Sequence, residues 1–244
     1  MKKLLLPVWM ILMLALVISS CKKDSSNNPP SNAGKILGTV TLYDDRTTAL
    51  TPEGMTVTID GTAFTAVTNA SGQFSFDNVP NDTYNLTYSK ADYGNFKLKG
   101  FVHNGTASSS ANVPGKTLGK ISTTSVSTIA VTTNVDSVFL TVTISPVATG
   151  ASTRGVRFFY STQNSISGTN YQTYSPVYTV RSATGSIIVS KADLLAAGYL
   201  SGATIYVRAY GDAYFSNDYD DASTGKTIFP NLNPTAAAAV SFVL

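Results

Sequence analysis

The sequence is poor in the side chains that do chemistry. Among its 244 residues there is one cysteine (Cys21), one histidine (His103) and one glutamate (Glu53), and charged residues make up only 13%. One thiol excludes an internal disulfide framework. One histidine and one cysteine leave few parts for the usual catalytic sites. The chain also lacks a charge of one sign. The formal net charge is +3, but beyond residue 24 the 13 basic residues face 13 acidic ones. A neutral body has no electrostatic footprint for nucleic acid, so no nucleic-acid partner is expected. From Lys35 to Val113 helical periodicity is missing as well. What remains, 43% hydrophobic residues in a chain of this length, suffices for two folded domains of about 100 residues each.

The N-terminus carries the sharpest signal. Lys2 and Lys3 open it, and Leu4 to Ile18 is an apolar run broken only by Pro7. The run is short of the roughly 20 residues a bilayer crossing needs, and it fits the apolar region of a secretory signal. Ile18-Ser19-Ser20-Cys21 follows and resembles the lipobox of bacterial lipoproteins. That resemblance implies cleavage before Cys21 and a lipid on its sulfur, so residues 1–20 are expected to be a signal peptide. It also accounts for the odd cysteine. Each buried methylene adds about 0.8 kcal/mol, so two or three acyl chains hold a protein at a membrane for a long time. Lys22-Lys23-Asp24 resembles the short charged export tags of Bacteroidetes-type surface lipoproteins. It implies the outer membrane, with the cell surface favoured over the periplasmic face. The Ser-, Asn- and Pro-rich stretch to Gly34 cannot bury a core, so residues 21–34 read as the lipidated cysteine and a flexible tether.

From Lys35 the pattern turns to β. Ile36, Val40 and Leu42 share one parity. Met55–Ile59 and Ala63–Thr68 are strand-like and meet at Asp60-Gly61, a hairpin signal. A turn at Asn69-Ala70-Ser71-Gly72 precedes Gln73–Phe76, and a second at 77–82 precedes Thr83–Ser89, where Tyr84, Leu86 and Tyr88 alternate. Such short, regularly spaced strands argue for an all-β sandwich. The run Thr68-Asn69-Ala70-Ser71-Gly72-Gln73-Phe74-Ser75-Phe76-Asp77-Asn78-Val79-Pro80, with Gly38-Thr39-Val40, Val57-Thr58-Ile59 and Tyr84, resembles the carboxypeptidase regulatory-like domain. The resemblance implies a prealbumin-like sandwich over residues 35–115. It concerns that family's accessory domain and not the zinc peptidase, whose type of site needs two histidines and a carboxylate.

Residues 119–244 continue in strands: Thr128–Thr133, Val138–Ser145, Gly155–Ser161, Tyr174–Val180, Gly185–Ser190 and Thr204–Tyr210, with one helix candidate at Lys191–Ala197. Their order resembles a fibronectin type III or immunoglobulin-like sandwich. In the sixth strand, Ile205, Val207 and Ala209 are placed inward, because the other register buries Arg208, and an unpaired buried Arg is costly. The fold expected is therefore all-β, two β-sandwich domains in tandem after a signal peptide and tether, with a proteolysis-sensitive link near Pro114–Gly119.

Four candidate sites follow. His103 and Glu53 read as structural or solvated groups. Asp212, Asp218, Asp220 and Asp221 are an oxygen-dense cluster weakly suited to calcium, although it lacks the twelve-residue calcium-loop pattern; no metal or cofactor is assigned. The last is aromatic. With Val156, Phe158 and Tyr160 inward, Arg157 and Phe159 face outward, and the fibronectin-like resemblance makes that strand the neighbour of Tyr206, Arg208 and Tyr210. Three aromatics and two arginines on an exposed face are residue types enriched at binding hot spots. The function expected is a non-catalytic binding module anchored to the membrane through its lipid, with a glycan or an outer-membrane protein as ligand. A structural spacer or an accessory subunit of an uptake or adhesion complex is the alternative, and a hidden hydrolase a third.

Overall fold

The computed structural model describes residues 32–106 and 108–244, so Cys21, the apolar run and most of the tether lie outside the described residues. The first sandwich begins with β1 (Ala33–Tyr43), β2 (Ala49–Leu50), β3 (Thr56–Ile59), β4 (Thr65–Val67) and β5 (Gln73–Pro80). It continues with β6 (Asp82–Lys90), β7 (Gly94–His103), β8 (Ser110–Asn112) and β9 (Lys116–Gly119). One sheet centres on β1, with β5 antiparallel on one side and β8 and β9 parallel on the other; the second runs β4-β3-β6-β7.

The alternation read from sequence sets the core. Ile36, Val40, Leu42, Val57, Ile59, Phe74, Phe76, Leu86 and Tyr88 are all buried between the sheets. Burying each such side chain contributes about 1.5–3 kcal/mol. Gly38 is required by packing, because a Cβ there would lie 2.2 Å from the Phe74 ring. Gly72 turns with φ +76°, a conformation L side chains avoid. Two sequence expectations change. The turn placed at 77–82 is tighter: β5 continues to Pro80, and the register shift opposite Gly34/Ile36 is taken up by Asn78 at φ 56°. The link expected near Pro114–Gly119 is in part a strand, since β9 pairs with β1 from Val40↔Lys116 to Tyr43↔Gly119.

The second sandwich opens with β10 (Ser125–Thr133), β11 (Ser137–Ser145), β12 (Arg154–Ser161), β13 (Thr173–Tyr174), β14 (Tyr178–Val180) and β15 (Thr184–Ser190). The helix α1 (Lys191–Ala196), β16 (Thr204–Asp212), β17 (Tyr219–Asp221), β18 (Lys226–Ile228) and β19 (Val240–Val243) complete it. One sheet is β10-β11-β15; the other is β12 between β13/β14 and β16, with β19 beyond. The expected single strand at 174–180 is split at Ser175-Pro176, where the Ser175 hydroxyl accepts from Phe158 N–H at 2.9 Å. Ser190 caps α1, its hydroxyl accepting from Ala192 N–H at 3.1 Å. Ile205, Val207 and Ala209 are fully buried, so the register chosen on the cost of burying Arg208 is the one adopted.

The sandwiches are docked. Asp45, in the β1–β2 loop, accepts from Thr123 N–H (2.8 Å) and Thr123 Oγ1 (2.7 Å), and Arg154 Nη1 lies 3.5 Å from it. Asn217 is buried between the two: its Nδ2 donates to Tyr93 C=O (2.7 Å) and Gly119 C=O (2.8 Å), and its Oδ1 accepts from Gly119 N–H (2.9 Å). The β17–β18 hairpin leans on β7, placing the Tyr219 ring 6.2 Å from Phe96.

Candidate functional site

The five residues expected to form an exposed face do share one face of the β12–β16 ladder, with Arg157 opposite Tyr210 and Phe159 opposite Arg208. They are not free. Phe159, Arg157 and Tyr210 are 0%, 5% and 7% exposed, and Tyr206 and Arg208 are half-buried. The segments between β12 and β13 and between β18 and β19 fold over this face. They bring Ile166, Tyr171 and Phe229 into a small core of their own with Phe159 and Tyr210. Phe159 lies 5.0 Å from Tyr171, 5.3 Å from Phe229 and 5.6 Å from Tyr210, centroid to centroid.

The two arginines fasten this cover. Arg157 Nε donates to Asp212 Oδ2 at 2.6 Å and Nη1 to Ser175 C=O at 2.9 Å, with its guanidinium 4.4 Å from the Phe229 ring. Arg208 reaches one carbonyl in each covering segment, Ile166 at 3.3 Å and Ala237 at 3.2 Å. The exposed patch is corrected to a second, covered core. Its signal was present in sequence as apolar side chains in segments without strand period: Ile166, Tyr171, Phe229 and Leu232.

The acidic cluster disperses too. Asp212 is fully buried in its pair with Arg157; burial pushes its carboxyl up, and the Arg157 charge only partly offsets this. Asp220 Oδ1 accepts from Thr227 Oγ1 at 2.7 Å, and hydrogen bonds from Ser223, with Lys99 nearby, hold Asp221 below the usual carboxylate range. Asp218 is exposed. Among the described residues no three His, Cys, Asp or Glu come together in a way that could hold a metal, so the calcium candidate fails on geometry. His103 is fully buried, with Nε2 3.1 Å from Val79 C=O and Nδ1 without a partner among the described residues, and Glu53 is an exposed loop residue.

An open concavity lies instead on the first sandwich. A groove of about 800 Å³ wraps the β4/β5 corner. Its lining includes the polar side chains of Lys35, Thr39, Thr65, Asn69, Gln73, Ser75 and Asn112, with Leu37, the exposed Val67 and the buried Val113 between them. The β4–β5 turn shapes it. Asn69 Oδ1 accepts from Ser71 N–H (3.0 Å) and Gln73 N–H (2.9 Å), and Gly72 N–H returns to Asn69 C=O (2.8 Å). Lys35 pairs with Asp77 at 3.1 Å, both largely exposed. Hydroxyls and carboxamides can hold a polar ligand at many points. The lining holds no carboxylate, histidine or thiol. The sequence reading missed this groove because none of its lining residues is individually unusual.

Residues 35–116 match the sequence model of the carboxypeptidase regulatory-like domain, under half of the chain. No curated protein matches. A chain of a type II cohesin–X–dockerin complex from Acetivibrio cellulolyticus is similar at 20% identity and TM-score 0.31, covering 36% of this chain and 59% of that one, under two thirds of its length. A Bacteroides uniformis protein provisionally named a carbohydrate binding protein is 17% identical, with coverages of 87% and 99% and TM-score 0.29. A DUF3823 family protein from Parabacteroides merdae is 11% identical, with coverages of 85% and 100% and TM-score 0.28. Likenesses at these scores say nothing about what this chain binds.

Proposed function

We propose that this protein is a non-catalytic binding module, lipid-anchored at Cys21 in the outer membrane and facing the cell surface, with a glycan or a protein as ligand. The observation that carries the binding reading is the groove of about 800 Å³ at the β4/β5 corner, lined by hydroxyls and carboxamides beside Lys35. Concave sites with a few convergent polar groups are where ligands are bound. The lipobox and the charged tag support the anchoring and the address. The test of the groove is binding by the full chain to a glycan array and to outer-membrane extracts. Gln73→Ala and Asn112→Ala should each weaken a ligand by about 1 kcal/mol. Retention of every ligand by both variants removes the groove from the proposal. Anchoring is read separately: Cys21→Ser should abolish incorporation of a labelled fatty acid and release the protein from membranes, and unchanged labelling would refute it.

A second reading, a rigid spacer, is favoured by the docked junction, where Asn217 and Asp45 tie the sandwiches through six hydrogen bonds and ion pairs of 2.7–3.5 Å. A spacer has no use for the groove, so the same two variants separate the readings.

A further inference from the structure

We propose that the groove at the β4/β5 corner accepts an extended polypeptide segment of a partner protein by strand addition, which rests on the binding reading above and narrows it to a peptide. In an antiparallel ladder, opposed residues alternate between pairs that exchange both N–H···O bonds and pairs whose N–H and C=O groups point outward. Val40 N–H donates to Gly72 C=O at 2.8 Å, which makes Gly38↔Phe74 and Ile36↔Phe76 bonded pairs and Leu37↔Ser75 a non-bonded one. Leu37 accordingly turns its carbonyl the other way, to Val113 N–H at 2.8 Å. Ser75 therefore turns its N–H and C=O away from β1. On that edge of β5 Gln73 already bonds Asn69, its C=O accepting from Asn69 N–H at 3.0 Å and its N–H donating to Asn69 Oδ1 at 2.9 Å.

The same count applies across the groove. Ile59 N–H donates to Phe64 C=O (3.0 Å) and Thr68 N–H to Met55 C=O (2.9 Å), so Val57↔Ala66 is bonded while Thr58↔Thr65 and Thr56↔Val67 are not. The 3.4 Å approach of the Thr58 and Thr65 hydroxyls suits a non-bonded pair, where side chains stand closer. Thr65 and Val67 thus turn their backbone groups outward too. All three residues line the one groove, with backbone donors and acceptors facing it from two strands.

Folded sheets usually block such edges with charge, proline, shortness or a cover. Elsewhere this sandwich does so. β8 and β9 are three and four residues long, with Pro114 between them and Lys116 opening β9, and β7 carries Lys97 and Lys99 and is covered by β17. β4 is as short as β8, and β5 carries Asp77 and Pro80 at its far end, which leaves Gln73 to Phe76 as the stretch of β5 without charge or proline. Backbone groups at strand spacing match another backbone rather than a sugar ring, and the aromatic side chain in the lining, Phe74, is only 4% exposed and offers no stacking face.

The test pans a displayed library of random peptides, each about ten residues long, long enough for a strand, against the full chain. Ser75→Pro removes the outward N–H without touching the β1 ladder, a position where an edge strand tolerates proline. Ser75→Lys places a charge on the edge, and is decisive should the proline variant fail to fold. The expected result is enriched peptides that protect the Ser75 amide from hydrogen exchange and bind both variants about tenfold more weakly. Enrichment of no peptide, or of peptides indifferent to both substitutions, overturns strand addition. A glycan that tolerates both Ser75 variants and is lost on Gln73→Ala also overturns it but keeps the binding module. Failure with glycans, extracts and peptides alike removes both.

Discussion

Two surfaces of this molecule invert what their sequences suggest. The β12–β16 face carries arginines and aromatics and looks built for binding, yet it is the floor of a second core. The β4/β5 corner carries threonine, serine, asparagine and glutamine, looks bland, and is the open groove. The difference teaches what strand parity can and cannot say. Parity assigns a side chain to one side of a sheet. It does not say whether that side meets water or more of the same chain. On the second sandwich, Phe159 meets Tyr171 and Phe229, delivered from segments far along the sequence. On the first, ordinary polar residues around the β4–β5 turn line an open groove.

The largest expected effect probes the cover. Phe159→Ala should destabilise the protein by about 3–5 kcal/mol, as for an aromatic lost from a core. An aromatic on an open sheet face would lose only about 0.2–1 kcal/mol of cross-strand contact. Chemical denaturation of the full chain decides, and a loss under about 1 kcal/mol would mean that the cover is not closed in solution.

The fastening of that cover comes next. Arg157 and Asp212 are buried together at 2.6 Å. Asp212→Asn leaves the guanidinium without its counter-charge and should cost about 3 kcal/mol, whereas Arg157→Met with Asp212→Leu should cost much less, because removing both charges removes the need to pair them. Equal losses in the single and double variants would show that packing around Phe229, and not the ion pair, holds the segment. A loss well under about 3 kcal/mol for Asp212→Asn would place the pair at a wet edge.

Much of this fold was legible. The alternation of Ile36, Val40 and Leu42 gave β1, and burial cost alone chose the register that places Ile205, Val207 and Ala209 inside. What was not legible is long-range. The β9 strand is too short, at four residues, to show a period of its own, and it exists because β1 has a free side for it. The pairing of Asp212 with Arg157 joins positions that sequence reading had placed in two different candidate sites. The strand-addition proposal rests on which backbone groups point outward, a property set by pairing and carried by no side chain.

The smallest expected effects test whether the corner is as open as the β12–β16 face is closed. Two neighbours in the β4–β5 turn should behave unequally. Asn69 holds the turn from inside, accepting from the N–H groups of Ser71 and Gln73, so Asn69→Ala should cost about 1 kcal/mol of stability. Gln73 sits on the rim; its side chain is exposed, and its one side-chain bond, from Asn69 Nδ2, is a 3.3 Å surface contact. Gln73→Ala should therefore shift stability by no more than about 0.5 kcal/mol, as for a surface position without special contacts. Thermal melts of the two variants beside wild type are enough. If Gln73→Ala loses as much as Asn69→Ala, the rim is part of the packed fold, and a fall in ligand binding by that variant could no longer be credited to the groove. If it melts like wild type, any affinity it loses belongs to the ligand.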